Sequence, residues 1–180
     1  FKLPGGEIAI QEPRRSLAGM FYEIGLIDNS LLQNMFESSE LEIISSMLAD
    51  NFNSPVTSSV GRIFDSVSAL LGLCYTSEYE GYAAMLLEFI ANDKEKKYYE
   101  FNLIAKEKVI VDWKPIIEGI IVDKKKRIHN SIISAKFHNT LAHIILGLSK
   151  YFKLNKIILS GGCFQNKLLL EKTIRLLSKK

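Results

Sequence analysis

Apolar residues recur at Ile133, Phe137, Leu141, Ile144, Ile145, Leu148 and Phe152, a spacing of three and four that only an α-helix gathers into one stripe. The stripe predicts a core helix of about six turns. A helix that long must lay its apolar face against other elements, and the rest of the sequence can supply them. Of 180 residues, 47% are apolar and 24% charged, the balance of one soluble globular domain rather than a disordered chain. At this length folding removes roughly 70% of the chain's surface from water, so no disulfide or metal staple is needed.

Around that helix the pattern alternates. Pro13 opens a helix carrying Leu17, Met20, Phe21 and Ile24, and Gly25 closes it. A second helix places Leu41, Ile44 and Leu48 on one face before Asn53-Ser54-Pro55 breaks the chain. A third, with Thr57 and Ser58 as capping candidates, buries Val60, Ile63, Phe64, Val67, Leu70 and Leu71. Segments 98–104 and 109–111 read as two short strands joined at hairpin distance. A short helix follows Pro115. Beyond the long helix, Lys156-Ile157-Ile158-Leu159 reads as a short buried strand, then Ser160-Gly161-Gly162 as a turn into a last amphipathic helix. This order describes a mixed α/β fold, helix-rich with a small mixed sheet.

The charge balance, 23 Lys and Arg against 20 Asp and Glu, gives no reason to expect a nucleic-acid or membrane partner. The basic run Lys124 to Arg127 reads as a solvated helix end. Cys74 and Cys163 form no CxxC pair, which fits a reducing cytoplasm. No apolar run approaches the length of about 20 residues that spans a bilayer. The chain starts at Phe1 without an initiator Met and stops in a lysine-rich helix. It is expected to be one domain, residues 1–180, cut from a longer protein at both ends.

The stretch Leu159-Ser160-Gly161-Gly162-Cys163-Phe164-Gln165-Asn166 carries the clearest chemical signal. Two glycines between strand and helix let a ligand approach the backbone, and N–H groups at a helix start favour an anion or a polar nucleotide edge. A tight turn without a ligand is the competing reading, since no Walker lysine and no three-glycine fingerprint is present. Cys163 sits where a thiol can become a nucleophile, but nothing supplies a base, and a small buried thiol is the better reading. His138 and His143 are five apart and point to different faces of a helix, which argues against a shared metal ion. On the third helix Gly61, Asp65 and Ser68 share a stripe opposite the apolar face, where a carboxylate can accept from ligand hydroxyls. Gly81 opens another helix just beyond.

Six blocks, in order, turn these hints into a family resemblance. They are Leu3-Pro4-Gly5-Gly6-Glu7, Glu12-Pro13-Arg14-Arg15, the segment from Ser54 to Asp65, Tyr79-Glu80-Gly81, the segment from Phe137 to Leu141, and the segment from Leu159 to Asn166. Together they resemble the C-terminal part of the hydrogenase-maturation carbamoyltransferases of the HypF family, over nearly the whole chain. The resemblance implies the second lobe of a two-lobed fold of the actin, sugar-kinase and Hsp70 (RNase H-like) class, similar to the tRNA threonylcarbamoyl transferases. It also implies an activity. Full-length members make carbamoyl adenylate from carbamoyl phosphate and ATP, then pass the carbamoyl group to the C-terminal cysteine of HypE, on the way to the cyanide ligands of the nickel-iron centre.

By the same resemblance, Asp65 matches the aspartate that contacts the nucleotide sugar, Gly81 a glycine beside it, and Asn166 the asparagine after the double glycine. Gly161 and Gly162 would admit the adenylate. The family's divalent metal is expected to be held by residues outside this chain, namely a histidine pair in the other lobe and a later aspartate. With the zinc-finger, acylphosphatase-like and adenylate-forming modules absent as well, the isolated chain is expected to be inactive and to bind adenylate weakly. A docking module without catalysis is the alternative from another class; a tRNA-modifying relative is disfavoured by the long segment from Pro4 to Pro55.

Overall fold

The computed structural model describes residues 1–27 and 29–179. In chain order the elements are α1 (Ile8–Gln11), α2 (Pro13–Glu23), α3 (Ser30–Gln33), α4 (Ser38–Ala49), α5 (Val60–Leu70), α6 (Tyr82–Ile90), β1 (Asn102–Ala105), β2 (Val109–Asp112), α7 (Lys114–Lys125), α8 (Asn130–Tyr151), a 3-10 turn (Gly162–Gln165) and α9 (Lys167–Leu177). They gather into two compact units, Phe1–Leu87 and Glu88–Lys180.

In the first unit α2 packs along α5. Pro13 stands in the first turn of α2, where a missing N–H costs nothing, and Gly25 follows the helix at φ +72°. Leu17, Met20, Phe21, Ile44, Leu48, Phe64, Val67 and Leu70 are all fully or almost fully buried. Each such side chain contributes roughly 1.5–3 kcal/mol relative to exposure. The N-terminal segment is pinned over this core: Leu3 N–H donates to Pro55 O at 2.9 Å and Thr57 N–H to Phe1 O at 2.8 Å. Gly19 makes that possible, because a Cβ there would collide with the carbonyl oxygen of Lys2. Arg14 and Arg15 each pair with both Glu12 and Glu40, which ties α2 to α4.

The second unit is built on α8, 22 residues long. Ile133, Phe137, Leu141 and Ile144 of the predicted stripe are buried, whereas Phe152 caps the helix half-exposed. α9 lies along α8, and α7 contributes Ile116, Ile117, Ile120 and Ile121 to the core. Segment 95–99 is clamped onto α8. Asn139 Nδ2 donates to the carbonyls of Glu95 and Lys97, Thr140 Oγ1 accepts from Tyr99 N–H, and Tyr99 Oη donates to Asp123, which pairs with Lys136. The hairpin forms in the expected place, with Leu103 opposite Val111, although Tyr98 to Phe101 precede its strands.

Two expectations are corrected. Lys156 to Leu159 form no strand, and Ile158 is 92% exposed. A strand is defined by a ladder partner, and among the described residues this segment has none. The sheet is therefore two-stranded and antiparallel. Likewise Thr57 and Ser58 do not cap α5. Thr57 Oγ1 instead accepts from Ser59 N–H at 3.0 Å in a local turn, and Ser59 is the residue at the cap. The basic run does lie at a helix end, where Lys125, Lys126 and Arg127 are exposed.

Candidate nucleotide site

α5 brings Asp65 and Ser68 one turn apart. The sequence placed them on a polar face, but α5 is enclosed from Phe64 to Leu70, and the two residues are 5% and 0% exposed. Arg62, one turn before Asp65, puts its Nη1 2.6 Å from Asp65 Oδ2. Its guanidinium is drawn toward the Ile10 carbonyl as well, at 3.3 Å. The ion pair is close but poorly aligned, and Asp65 Oδ2 and Ser68 Oγ have no hydrogen-bond partner among the described residues. Burial pushes the Asp65 carboxyl up to about 6, with Arg62 pulling the other way. A buried acceptor and a buried hydroxyl on one helix stripe lack the partners such groups normally have.

Beside this stripe lies Cys74, whose Sγ contacts Thr76 O at 3.3 Å and Ser77 Oγ at 3.7 Å. Burial raises its pKa, the Ser77 hydrogen bond opposes that, and the charges of Asp65 and Glu78 raise it further. The thiol is thus kept protonated, the opposite of an activated nucleophile. Gly81 adopts φ +86°, where a side chain would be strained, and a Cβ there would meet nothing within 4 Å. Its carbonyl accepts from Met85 N–H at 3.0 Å at the start of α6.

In the second unit Gly161 has φ +95° and ψ 164°, a region open essentially to glycine alone. Gly162 follows, and a Cβ on either glycine would meet nothing within 4 Å. The chain then makes a 3-10 turn rather than entering a helix directly, and Asn166 caps α9. Its Oδ1 accepts from Leu169 N–H at 2.8 Å, and its Nδ2 lies 3.0 Å from His138 Nε2. The donor and acceptor that the sequence offered to a ligand are thus both engaged inside the protein. The α9 start is further occupied by Glu88, whose Oε1 accepts from Leu168 N–H at 3.0 Å. Two backbone donors expected to face an anion are already satisfied, whereas the side of Gly161 and Gly162 where a Cβ would stand is open.

Cys163 is partly exposed rather than buried. His138 is buried in α8, while His143 stacks on Tyr98 with ring centroids 3.9 Å apart, so the two histidines do serve different surroundings. Among the described residues no group of three His, Cys, Asp or Glu side chains is placed to hold a metal ion. Among the described residues, those present do not fit a metal site. No helix among the described residues is long and apolar enough to cross a membrane. Sequence reasoning missed Arg62 and Glu88. An Arg three residues before a buried Asp is a usable local signal, whereas Glu88 reaches α9 from 80 residues away with none.

A helix-rich chain with a small antiparallel sheet and a double-glycine loop before a capped helix fits the second subdomain of a Kae1-like domain. The family model for that subdomain, carbamoyltransferase, Kae1-like domain, second subdomain, matches residues 1–180. The chain belongs to this family, the Kae1-like domain of the HypF carbamoyltransferases. It is similar to Carbamoyltransferase HypF of Synechocystis sp., 40% identical over 127 residues, which are 69% of this chain and 16% of that protein. To the probable carbamoyltransferase HypF of Methanocaldococcus jannaschii it is 30% identical over 177 residues, 93% of this chain and 23% of that one. A crystal structure of full-length HypF in a phosphate- and nucleotide-bound form matches with a TM-score of 0.91 at 37% identity, covering 99% of this chain and 29% of that one. T. kodakarensis HypF shares the fold, with a TM-score of 0.78 at 24% identity. The chain spans less than a third of each of these proteins. The resemblance read from six sequence blocks and the fold it implied both hold.

Proposed function

We propose that this chain is the part of a HypF-type carbamoyltransferase that holds carbamoyl adenylate while the carbamoyl group passes to the C-terminal cysteine thiolate of a HypE-type partner. Asp65 and Gly81 of the first unit serve the nucleotide sugar. The observation that carries this reading is the buried Asp65 carboxylate with an oxygen that lacks an aligned donor; a ribose hydroxyl is such a donor. Gly161 and Gly162 of the second unit let the adenylate approach the backbone, and Asn166 frames their loop through its cap. The phosphate- and nucleotide-bound state of the 37% identical HypF supports a nucleotide as ligand.

The protein's task on this reading is binding and charge stabilisation as AMP leaves, because the attacking thiolate belongs to the partner. ATP is consumed where the adenylate is made, by modules outside this chain, and the divalent metal also belongs to residues outside it. The isolated chain binds AMP weakly and does not turn over carbamoyl phosphate and ATP. Calorimetric titration with AMP tests this, using Asp65→Ala and Asn166→Ala as controls. Heat that both substitutions diminish supports the proposal. Binding of the HypE-type partner with no nucleotide binding, in the full-length protein as well, would replace it with a docking module.

A further inference from the structure

His138 is fully buried in the middle of α8, far along the chain from the loop at 161–166. Its Nδ1 stands 2.8 Å from the carbonyl oxygen of Ser134, one turn back. A carbonyl only accepts, so Nδ1 carries the proton and Nε2 presents a lone pair. That lone pair faces Asn166 Nδ2 at 3.0 Å, and Asn166 Oδ1 in turn accepts from Leu169 N–H. The bonds have one polarity throughout, from Leu169 N–H to Asn166 Oδ1 and from Asn166 Nδ2 through His138 to Ser134 O. Reversing the Asn166 amide would set its nitrogen against the Leu169 N–H and its oxygen against the Nε2 lone pair. The amide therefore has one orientation, and Asn166 N–H, 3.4 Å from Cys163 O, joins that fixed residue to the turn after the two glycines.

We infer that His138 is a positioning residue: its neutral, Nδ1-protonated imidazole fixes the Asn166 amide and so sets the conformation of the Gly161-Gly162 loop for its ligand. The ligand is the nucleotide of the proposed function, and in that respect the inference rests on that reading. Burial keeps the ring neutral, lowering its pKa to about 4; the backbone bond at Ser134 opposes this, and Lys172 of α9 is the charged group that adds to it.

Nitrogen-15 NMR of the protein at neutral pH, with AMP titrations, tests the inference. In the wild type His138 shows a protonated Nδ1 and a bare Nε2. His138→Gln, whose amide oxygen can accept from Asn166, retains the Gly161 and Gly162 amide signals and AMP affinity within about twofold. His138→Leu moves both signals and weakens AMP by about tenfold, the effect of one lost buried hydrogen bond. Asn166→Asp keeps an N-cap acceptor but sets an oxygen against Nε2, so His138 there becomes protonated on both nitrogens; this readout survives if the Leu variant fails to fold. A wild-type proton on Nε2, or an Asp variant with an unchanged imidazole, overturns the inference. So does a folded Leu variant with unchanged glycine signals. If wild-type protein binds no AMP, the nucleotide reading fails, and the imidazole and glycine signals alone decide this inference.

Discussion

Arg62 Nη1 and Asp65 Oδ2 approach to 2.6 Å within one turn of α5, yet the carboxylate keeps an oxygen without an aligned hydrogen bond. Asp65 is buried and Arg62 only partly so, and the arginine offsets only part of what it costs to take the carboxylate out of water. A ligand hydroxyl donated to that oxygen would favour the ionised form.

That cost has a sign. The folded-state pKa of Asp65 is raised from 3.8 to about 6, so the folded protein binds more protons than the unfolded chain between those values. The stability this group contributes is full below about pH 4 and is lost as pH rises through 6, about 3 kcal/mol in all. Asp65→Asn removes this loss. Urea unfolding of the first unit followed from pH 4 to 7 is expected to show a wild-type decline that the variant lacks.

Ionisation also couples to binding. If nucleotide hydroxyls donate to Asp65, AMP binding at pH 5.5 releases a proton, and affinity rises as pH approaches 7. Calorimetry in two buffers of different ionisation enthalpy reads this directly. Equal heats in both buffers would mean that Asp65 does not change protonation on binding.

His138 gives the opposite slope in the other unit. Its pKa is lowered from 6.5 to about 4, so its contribution is full above 6.5 and is lost as pH falls through 4, again about 3 kcal/mol. Unfolding of the second unit should weaken in acid over that window. His138→Gln is expected to flatten the slope.

The glycines separate folding from binding. Gly162→Ala meets nothing within 4 Å, so its melting is expected to match the wild type within about 0.5 kcal/mol while AMP binding falls. Gly161→Ala disturbs the loop itself, because its φ and ψ are closed to other residues. Gly19→Ala lies far from any ligand in sequence, but its Cβ would strike the backbone of Lys2. Chemical denaturation of that variant is expected to show a loss of about 3 kcal/mol, since backbone cannot yield as a flexible side chain can.

Much of this was legible because the physics is local. The stripe on α8, Pro13 at the start of α2, Gly25 at its end and the hairpin at 102–112 all follow from periodicity and backbone chemistry within a few residues. Lys156 to Leu159 looked like a strand because apolar composition reports a preference for pairing, and only a neighbour can satisfy it. The single-turn helices α1 and α3 carry too few residues for any period. At the candidate site, Asp65, Gly81 and the double glycine were readable from residue type. The burial of Asp65 on an enclosed helix, the Glu88 carboxylate at α9 and the link from His138 to Asn166 were not, because each depends on contacts formed only in the fold.

On the proposed function, the α5 carboxylate of the first unit and the double-glycine loop of the second each serve an adenylate ligand. The most direct measurement is a proton–nitrogen NMR titration of the protein with AMP. Saturable shifts are expected at the amides of Asp65 and Gly81 in the first unit and of Gly161 and Gly162 in the second, those at Gly81 being largely abolished by Asp65→Ala. Saturable AMP binding that leaves those amides unmoved, or that Asp65→Ala leaves intact, would contradict it.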